Sequence, residues 1–199
     1  MTTIVAFDFD GTLTRKDSFL RFISFCKGKT KLYMSIPYIG IVWGLFKINV
    51  LKRQHAKEIV FSHFFKGMPI QIFNDAGKAF SREIDVMLRP NVKSKISEYA
   101  KQGHKLVIIS ASVENWIRPW AFKNNIETVL GTQIEIDEAG LITGKFKSPN
   151  CIGKEKVNRL LEVFPNRKTY KLIAFGDSRG DKELMHLADE SHFNYFKRQ

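Results

Sequence analysis

The chain has 199 residues, of which 44% are hydrophobic and 26% are charged, a composition that fits a globular domain and excludes a disordered or fibrous protein. Its formal net charge of +12 indicates an anionic partner: a phosphorylated molecule, an acidic membrane surface or nucleic acid. The two cysteines, Cys26 and Cys151, match neither a disulfide framework nor a metal-ligand spacing, and the N-terminus lacks a secretory signal pattern. We therefore expect a cytoplasmic protein.

The first predicted elements are one strand and a long helical region. An apolar run at residues 4–9 predicts a buried strand that leads into a loop. From residue 18 to residue 80, apolar side chains recur at spacings of three and four, which predicts helices. Residues 14–53 also carry nine basic residues and one acidic residue, Asp17, so the basic excess is concentrated in this region.

Within that region, Leu32 to Phe46 is apolar apart from Ser35 and is interrupted by Pro37. It is shorter than the roughly 20 residues that a membrane-spanning helix needs. Three alternatives remain open: burial in the surrounding helices, a dimer interface, or an interfacial position in a membrane. Lysines on both flanks, with Tyr33, Tyr38 and Trp43 as headgroup-level aromatics, favour the membrane alternative.

After residue 89, helices alternate with short apolar strands. Helices are predicted at 92–100, 116–123, 155–164 and 182–188, strands at 105–110, 128–130, 171–175 and 193–196, and a hairpin at 133–144 that turns at 137–140. This alternation predicts an α/β fold with a doubly wound, Rossmann-like parallel sheet and a small β-hairpin. Residues 14–89 interrupt it, so we expect a core of residues 1–13 plus 90–199 and an inserted helical cap at 14–89.

Polar side chains follow three of the predicted strands. Asp8 and Asp10 lie at the end of the first, Ser110 is the last residue of the second, and Asp177 follows the strand at 171–175. Open α/β sheets bind ligands at the carboxyl ends of their strands. Carboxylates at i and i+2 project to one side, and with Asp177 they would form an oxygen-rich site suited to Mg²⁺.

Four segments resemble the motifs of the haloacid dehalogenase superfamily of phosphohydrolases, in the order that the family shows. They are Asp8-Phe-Asp-Gly-Thr-Leu-Thr14, Val107-Ile-Ile-Ser110, a downstream lysine, and Gly176-Asp-Ser-Arg-Gly-Asp181. The helical insertion resembles the cap of the phosphoserine-phosphatase-like branch, subfamily IB, and its apolar segment is similar to that of the phosphatidylglycerophosphatases of this branch.

The resemblance implies a role for each motif residue. Asp8 would be the nucleophile that forms an aspartyl-phosphate, and Asp10 the general acid and base. Mg²⁺ would be held by Asp8, by the backbone carbonyl of Asp10 and by Asp177. Asp181 would not bind the ion directly but would orient a water molecule or the metal ligands.

Phosphoryl oxygens would be held by Ser110 and by backbone N–H groups near Gly11 and Ala111. A lysine at the start of the helix at 155–164 would also hold the phosphate. Lys154 and Lys156 are the two candidates, and we prefer Lys156, because it comes directly before the apolar helix face and matches the family pattern.

Two further residues bear on the choice of substrate. Asp17 is either a helix N-cap or, at the place where phosphoserine phosphatases carry an acid, a partner of the substrate's amine. Arg179 stands where the family usually has a small residue, a departure that weakens the transfer of phosphoserine as substrate.

The expected activity is a Mg²⁺-dependent phosphomonoesterase acting on a small phosphorylated metabolite such as phosphoserine. The alternative is a phosphatase for a lipid headgroup, with peripheral association at the inner face of an anionic membrane. A nucleic-acid phosphatase or a non-catalytic phosphate-binding protein is less expected, because no RNA-binding motif is present and all catalytic positions are filled.

Overall fold

The computed structural model describes residues 2–198, and their central feature is a five-stranded parallel sheet in the order β3-β2-β1-β6-β7. A two-stranded antiparallel hairpin, β4-β5, stands apart from it. The strands are β1 (Thr2–Phe7), β2 (Lys105–Val113), β3 (Thr128–Thr132), β4 (Ile134–Ile136), β5 (Ile142–Phe146), β6 (Tyr170–Gly176) and β7 (Glu190–Phe193). This arrangement confirms the predicted α/β fold with a parallel sheet and a small hairpin.

Helices cover both faces of the sheet. They are α1 (Ser18–Lys27), α2 (Lys29–Met34), α3 (Ile36–Lys47), α4 (Arg53–Phe65), α5 (Ile70–Met87), α6 (Val92–Lys101), α7 (Glu114–Lys123), α8 (Lys154–Val163) and α9 (Lys182–Leu187). Along β1, Val5 and Phe7 join the hydrophobic cluster of α6 and α7, whereas Ile4 and Ala6 join that of α8 and α9. Because successive strand side chains point to opposite faces, a strand buried on both faces reads as a continuous apolar run.

Helices α1 to α5 form the inserted layer, and the chain enters and leaves it through one pair of adjacent segments. The Arg15 N–H donates to the Met87 carbonyl at 2.8 Å, and the Arg89 N–H donates to the Leu13 carbonyl at 2.9 Å. We propose residues 14–89 as the cap, because the two adjacent segments that connect it to the core lie at the two ends of this range.

The cap and the core share one aromatic cluster. The ring of the fully buried Trp116, on α7, stacks on Phe22 of α1 at a centroid distance of 4.7 Å and packs against Phe73 of α5. The hairpin also contacts the cap, because the Gly67 N–H donates to the Ile142 carbonyl at 2.8 Å. The cap is thus packed on the core along α7 and along the hairpin.

One predicted strand needs correction. The last strand is Glu190–Phe193 and not 193–196, because Asn194 adopts a left-handed conformation (φ 56°) and residues 195–197 form a 3₁₀ turn. The apolar segment 32–46, in which Pro37 indicates an interruption, is divided between two helices: α2 ends before Ser35, and Pro37 lies in the first turn of α3. A proline there costs no hydrogen bond, because the first N–H groups of a helix have no partner within it.

The same segment is only partly buried. Ile39 and Val42 enter the core, whereas Tyr33, Met34 and Ile41 face solvent, so burial within the cap accounts for one side of α3 alone. No helix between residues 2 and 198 has both the length and the apolarity needed to cross a bilayer.

Candidate active site

The predicted carboxylates meet at the carboxyl ends of β1 and β6. Strand β1 ends at Phe7, two residues earlier than predicted, but the Asp8 N–H still donates to the Phe175 carbonyl at 2.9 Å, which fixes Asp8 beside β6. The Thr12 hydroxyl contacts both acids, at 2.9 Å from Asp8 Oδ2 and 3.2 Å from Asp177 Oδ1. Gly11, at φ +85°, passes so close to Asp177 that a Cβ there would overlap its carboxylate.

Lys156 connects the nucleophile candidate to the last motif. Its Nζ donates to Asp8 Oδ1 at 2.6 Å and to Asp181 Oδ1 at 2.5 Å, and the residue is 2% exposed. Lys154 is exposed, so of the two candidate lysines it is Lys156 that contacts Asp8. The second Asp181 oxygen accepts from the Ser178 N–H and hydroxyl at 3.0 and 2.8 Å, which braces the loop that carries Asp177.

Asp10 lies apart from this group and is held by hydroxyls. The Ser112 hydroxyl donates to Asp10 Oδ2 at 2.5 Å, and Ser18 donates through its N–H at 2.8 Å and its hydroxyl at 3.0 Å. Ser18 begins the first cap helix, so this acid sits at the junction of cap and core.

The segment 110–112 owes its position to an irregularity in β2. The register with β3 shifts between Ile109 and Val113, so β2 continues past the predicted end at Ser110. Such an interruption re-aims side chains at the edge of a sheet. Ser110, Ala111 and Ser112 all line the cavity that also contains Asp8 and Asp10.

Burial controls the ionisation of these groups. It raises the pKa of Asp8 to about 6, against the opposing attraction of Lys156, and it raises the pKa of Asp10 to about 7, with a further contribution from Asp17. Burial alone would lower the pKa of Lys156, but the carboxylates of Asp8 and Asp181 outweigh it and raise that pKa. Lys156 is therefore a permanent cation, whereas Asp10 can carry or release a proton near neutrality.

The cap supplies the opposite wall of the cavity, which has a volume of about 220 Å³. The side chains that line it from the cap are Asp17, Phe19, Trp43, Arg53 and Lys57. Asp17 also caps α1 by accepting from the Phe19 N–H at 2.9 Å, so the two predicted uses of this residue are compatible.

Arg179 does not line this cavity; it is exposed and lines a neighbouring pocket of the core, with Lys182, His186 and Phe193. Trp43, which the membrane alternative placed among the headgroup aromatics, lines the cavity instead. The structure therefore brings together the predicted catalytic residues and Asp17 but leaves Arg179 outside.

Sequence reasoning missed several residues of the site. Arg53 appeared only as part of a basic region, and Lys57, Thr12, Ser18, Ser112 and Asn150 were not singled out. Lys57 did carry a detectable signal, since it lies three and four residues before the buried Val60 and Phe61 on the inward stripe of α4. A lysine in such a stripe indicates a buried cation.

The carboxylates fit a divalent cation. One oxygen from each of Asp8, Asp177 and Asp181 lies within 4.8 Å of the other two. Hard oxygen ligands of this kind are what Mg²⁺ prefers, together with retained waters. Lys197 contacts the same group, since its Nζ donates to Asp177 Oδ2 at 2.8 Å.

Comparison with known proteins agrees with this geometry. A curated relative, protein CicA of Caulobacter vibrioides (strain NA1000 / CB15N), is 34% identical over 198 residues, which are 98% of this chain and 86% of that protein. The solved structure of a protein of unknown function from Bordetella pertussis Tohama I superposes with a TM-score of 0.80 at 16% identity, covering 96% of this chain and 89% of that chain. A probable phosphoserine phosphatase from Vibrio cholerae superposes with a TM-score of 0.72 at 16% identity, covering 97% and 56% of the two chains.

These structural similarities show that the fold is phosphoserine-phosphatase-like. The family model of the haloacid dehalogenase-like hydrolases matches residues 5–186, a span that contains all four motifs. The chain is a hydrolase and belongs to the haloacid dehalogenase-like family.

Proposed function

We propose that the protein is a Mg²⁺-dependent phosphomonoesterase that works through a phosphoryl group carried on Asp8. One observation supports this most strongly: Asp8 lies within hydrogen-bond distance of the buried cation Lys156 and beside Asp177, at the carboxyl ends of β1 and β6. A carboxylate so placed can attack a phosphorus atom while the neighbouring positive charge stabilises the equatorial oxygens.

Asp10 would carry the proton in both half-reactions. Its pKa of about 7 lets a fraction of molecules donate a proton to the leaving oxygen, after which the carboxylate can accept a proton from the attacking water. The hydroxyls of Ser18 and Ser112 both donate to Oδ2 of Asp10, and the Ser18 N–H donates to Oδ1, so these contacts would keep the carboxyl group oriented during this exchange.

Asp8, Asp177 and the backbone carbonyl of Asp10 would hold Mg²⁺, with Asp181 behind them. The bound ion would supply charge neutralisation between the nucleophile and the phosphate. Ser110, Lys156 and the backbone around Gly11 and Ala111 would hold the phosphoryl oxygens. The Ser110 hydroxyl is already oriented, since it accepts from the Ser112 N–H at 3.1 Å.

The substrate that fits best is a small phosphate ester with both a positive and a negative group. The cavity is small, and its cap wall presents the carboxylate of Asp17 and the cations of Arg53 and Lys57. An amine could pair with Asp17, and a carboxylate with Arg53, as phosphoserine would require. A lipid phosphate is the second candidate, favoured by the solvent-exposed apolar side of α3, the helix that carries Trp43 into the cavity.

The test is a phosphatase assay over phosphoserine, an uncharged alkyl phosphate, an aryl phosphate, a dispersed lipid phosphate and a 5′-phosphorylated oligonucleotide. We expect turnover that is lost on chelation and restored by Mg²⁺, with phosphoserine hydrolysed faster than the alkyl phosphate. Asp8→Asn should reduce turnover by at least about a thousandfold, because the nucleophile is gone.

Asp75→Asn is the matched control, since Asp75 is an exposed acid on α5 whose side chain pairs with Lys78. Retained hydrolysis by the Asp8→Asn protein would contradict the proposed function. A preference for the lipid phosphate would keep the proposed chemistry and select the second substrate class.

A further inference from the structure

Helix α3 is apolar on all sides but is buried on only one. Ile39 and Val42 pack into the cap, whereas Ile41, on the opposite side, is 65% exposed. The exposed large apolar side chains between residues 33 and 48 are together called the docking face here: Tyr33, Met34, Ile36, Tyr38, Ile41 and Ile48. An apolar helix side of this extent is normally covered by something, because exposed apolar area costs free energy.

The sequence that forms and flanks the docking face carries charges of one sign. From Ser18 to Lys57 the sequence contains no acidic residue. Four exposed lysines are close to the docking face in sequence, Lys29 and Lys31 before Tyr33, and Lys47 and Lys52 before and after Ile48. Whatever covers the docking face must therefore tolerate or neutralise these positive charges.

We propose that the docking face binds the surface of an anionic lipid bilayer, with its apolar side chains at the boundary of headgroups and acyl chains. The lysines would then reach lipid phosphates, and Tyr33 and Tyr38 would occupy the headgroup level. A second copy of this chain fits less well, since pairing two such faces would bring eight lysines of like charge together. An ordinary interfacial helix turns a polar side toward water, whereas the inner side of α3 packs against the rest of the protein.

The docking face is separate from the catalytic cavity. Trp43 is the α3 residue that lines the cavity, and it is partly buried against the core rather than part of the outward face. Substitutions on the docking face should therefore leave hydrolysis of a soluble aryl phosphate unchanged, and the proposal holds whichever phosphate ester the site prefers.

Co-sedimentation with vesicles tests the proposal, using phosphatidylcholine alone and phosphatidylcholine mixed in equal parts with phosphatidylglycerol. We expect binding to the mixed vesicles that weakens with added salt, and much weaker binding to phosphatidylcholine. The double variant Met34→Gln/Ile41→Gln should bind at least about tenfold more weakly, since both side chains are exposed and apolar (78% and 65%). Val86→Gln on α5, 77% exposed, is the matched control and should bind like the unaltered protein.

The double variant Lys29→Gln/Lys31→Gln tests the contribution of charge. Its control is Lys101→Gln/Lys168→Gln, which removes two exposed lysines of the core. At about 1 kcal/mol for each lysine near an anionic surface, the first pair should lose about 30-fold in partitioning and the second pair little. The proposal is overturned if the mixed vesicles are not bound, or if the control variants lose as much binding as the docking-face variants. A dimer in light scattering that Met34→Gln/Ile41→Gln converts to a monomer would also overturn it, because a second copy would then cover the face.

Discussion

Lys57 places a buried positive charge between the cap and the strand that carries Ser110. Its Nζ donates to the Ala111 carbonyl and to Asn150 Oδ1, and it lies 5.6 Å from the centre of the Phe19 ring. Burial lowers the pKa of Lys57 to about 8, although Asp17 and Asp10 act in the opposite direction. A cation kept in this place at a cost to stability is consistent with a role in binding an anionic group of the substrate.

The same pKa shift predicts how stability depends on pH. Between about 8 and the ordinary value of 10.5, the unfolded chain binds a proton at Lys57 that the folded chain does not. The cost of charging Lys57 is therefore absent above that window, grows as the pH falls through it, and is complete below about 8.

We expect the free energy of unfolding of the unaltered protein, relative to Lys57→Met, to rise by about 3 kcal/mol as the pH increases across this window. Urea denaturation of the two proteins over a pH series measures the difference. Parallel pH profiles for the two proteins would show that Lys57 does not titrate in this way.

At the residue scale, the sequence predicts the acids of the site better than its cations. Asp8, Asp10 and Asp177 follow buried apolar strands, and the carboxyl ends of parallel strands meet at one edge of a sheet, so their proximity follows from the strand pattern alone. Arg53 and Lys57 come from a helix of the cap, and their arrival at the cavity depends on how α4 packs on the core. Helix periodicity does not encode that packing, which is why these two side chains were not singled out.

At the scale of elements, α7 is the part of the core on which the cap rests. Trp116 is fully buried, its indole N–H donates to the Ser18 hydroxyl at 3.1 Å, and its ring contacts Phe19, Phe22 and Phe73 of the cap. The same hydroxyl donates to Asp10, so this packing also supports the proposed general acid.

Replacement of Trp116 by Ala should lower the free energy of unfolding by about 3–5 kcal/mol, the usual range for loss of a buried aromatic side chain. Thermal and urea denaturation followed by circular dichroism measure it. Phe122→Ala on the same helix is the control, since Phe122 is half exposed and should cost much less. If the two variants were equally stable, α7 would not be the support of the cap.

Helices and strands were predicted correctly where the apolar residues of the sequence are the ones buried in the structure. They were placed wrongly where an element has no such buried apolar pattern. Strand β7 is an edge strand of the sequence Glu-Ser-His-Phe and lacks a buried run, so the prediction moved to the more apolar residues that follow it. Pro37 indicated an interruption in the apolar segment 32–46 but not the helix end at Ser35, because α2 and α3 are both apolar and a proline suits the first turn of a helix as well as a break.

At the scale of the whole molecule, charge is divided between two places. Acids converge on the sheet edge, where Asp8, Asp177 and Asp181 would need a cation before they could accept a phosphate. Much of the basic excess lies on the cap, partly in the cavity wall and partly around the docking face. We therefore propose that the core performs the chemistry and the cap selects which phosphate reaches it.

The central claim is that the phosphoryl group passes through Asp8, and acid-quenched single-turnover reactions analysed by peptide mass spectrometry test it most directly. With Mg²⁺ and an aryl phosphate, we predict a phosphoryl group on the peptide that contains Asp8. It should accumulate further in Asp10→Asn, because the base for dephosphorylation is then missing. Turnover without any phosphorylated peptide, or with the phosphoryl group on another residue, would contradict the account.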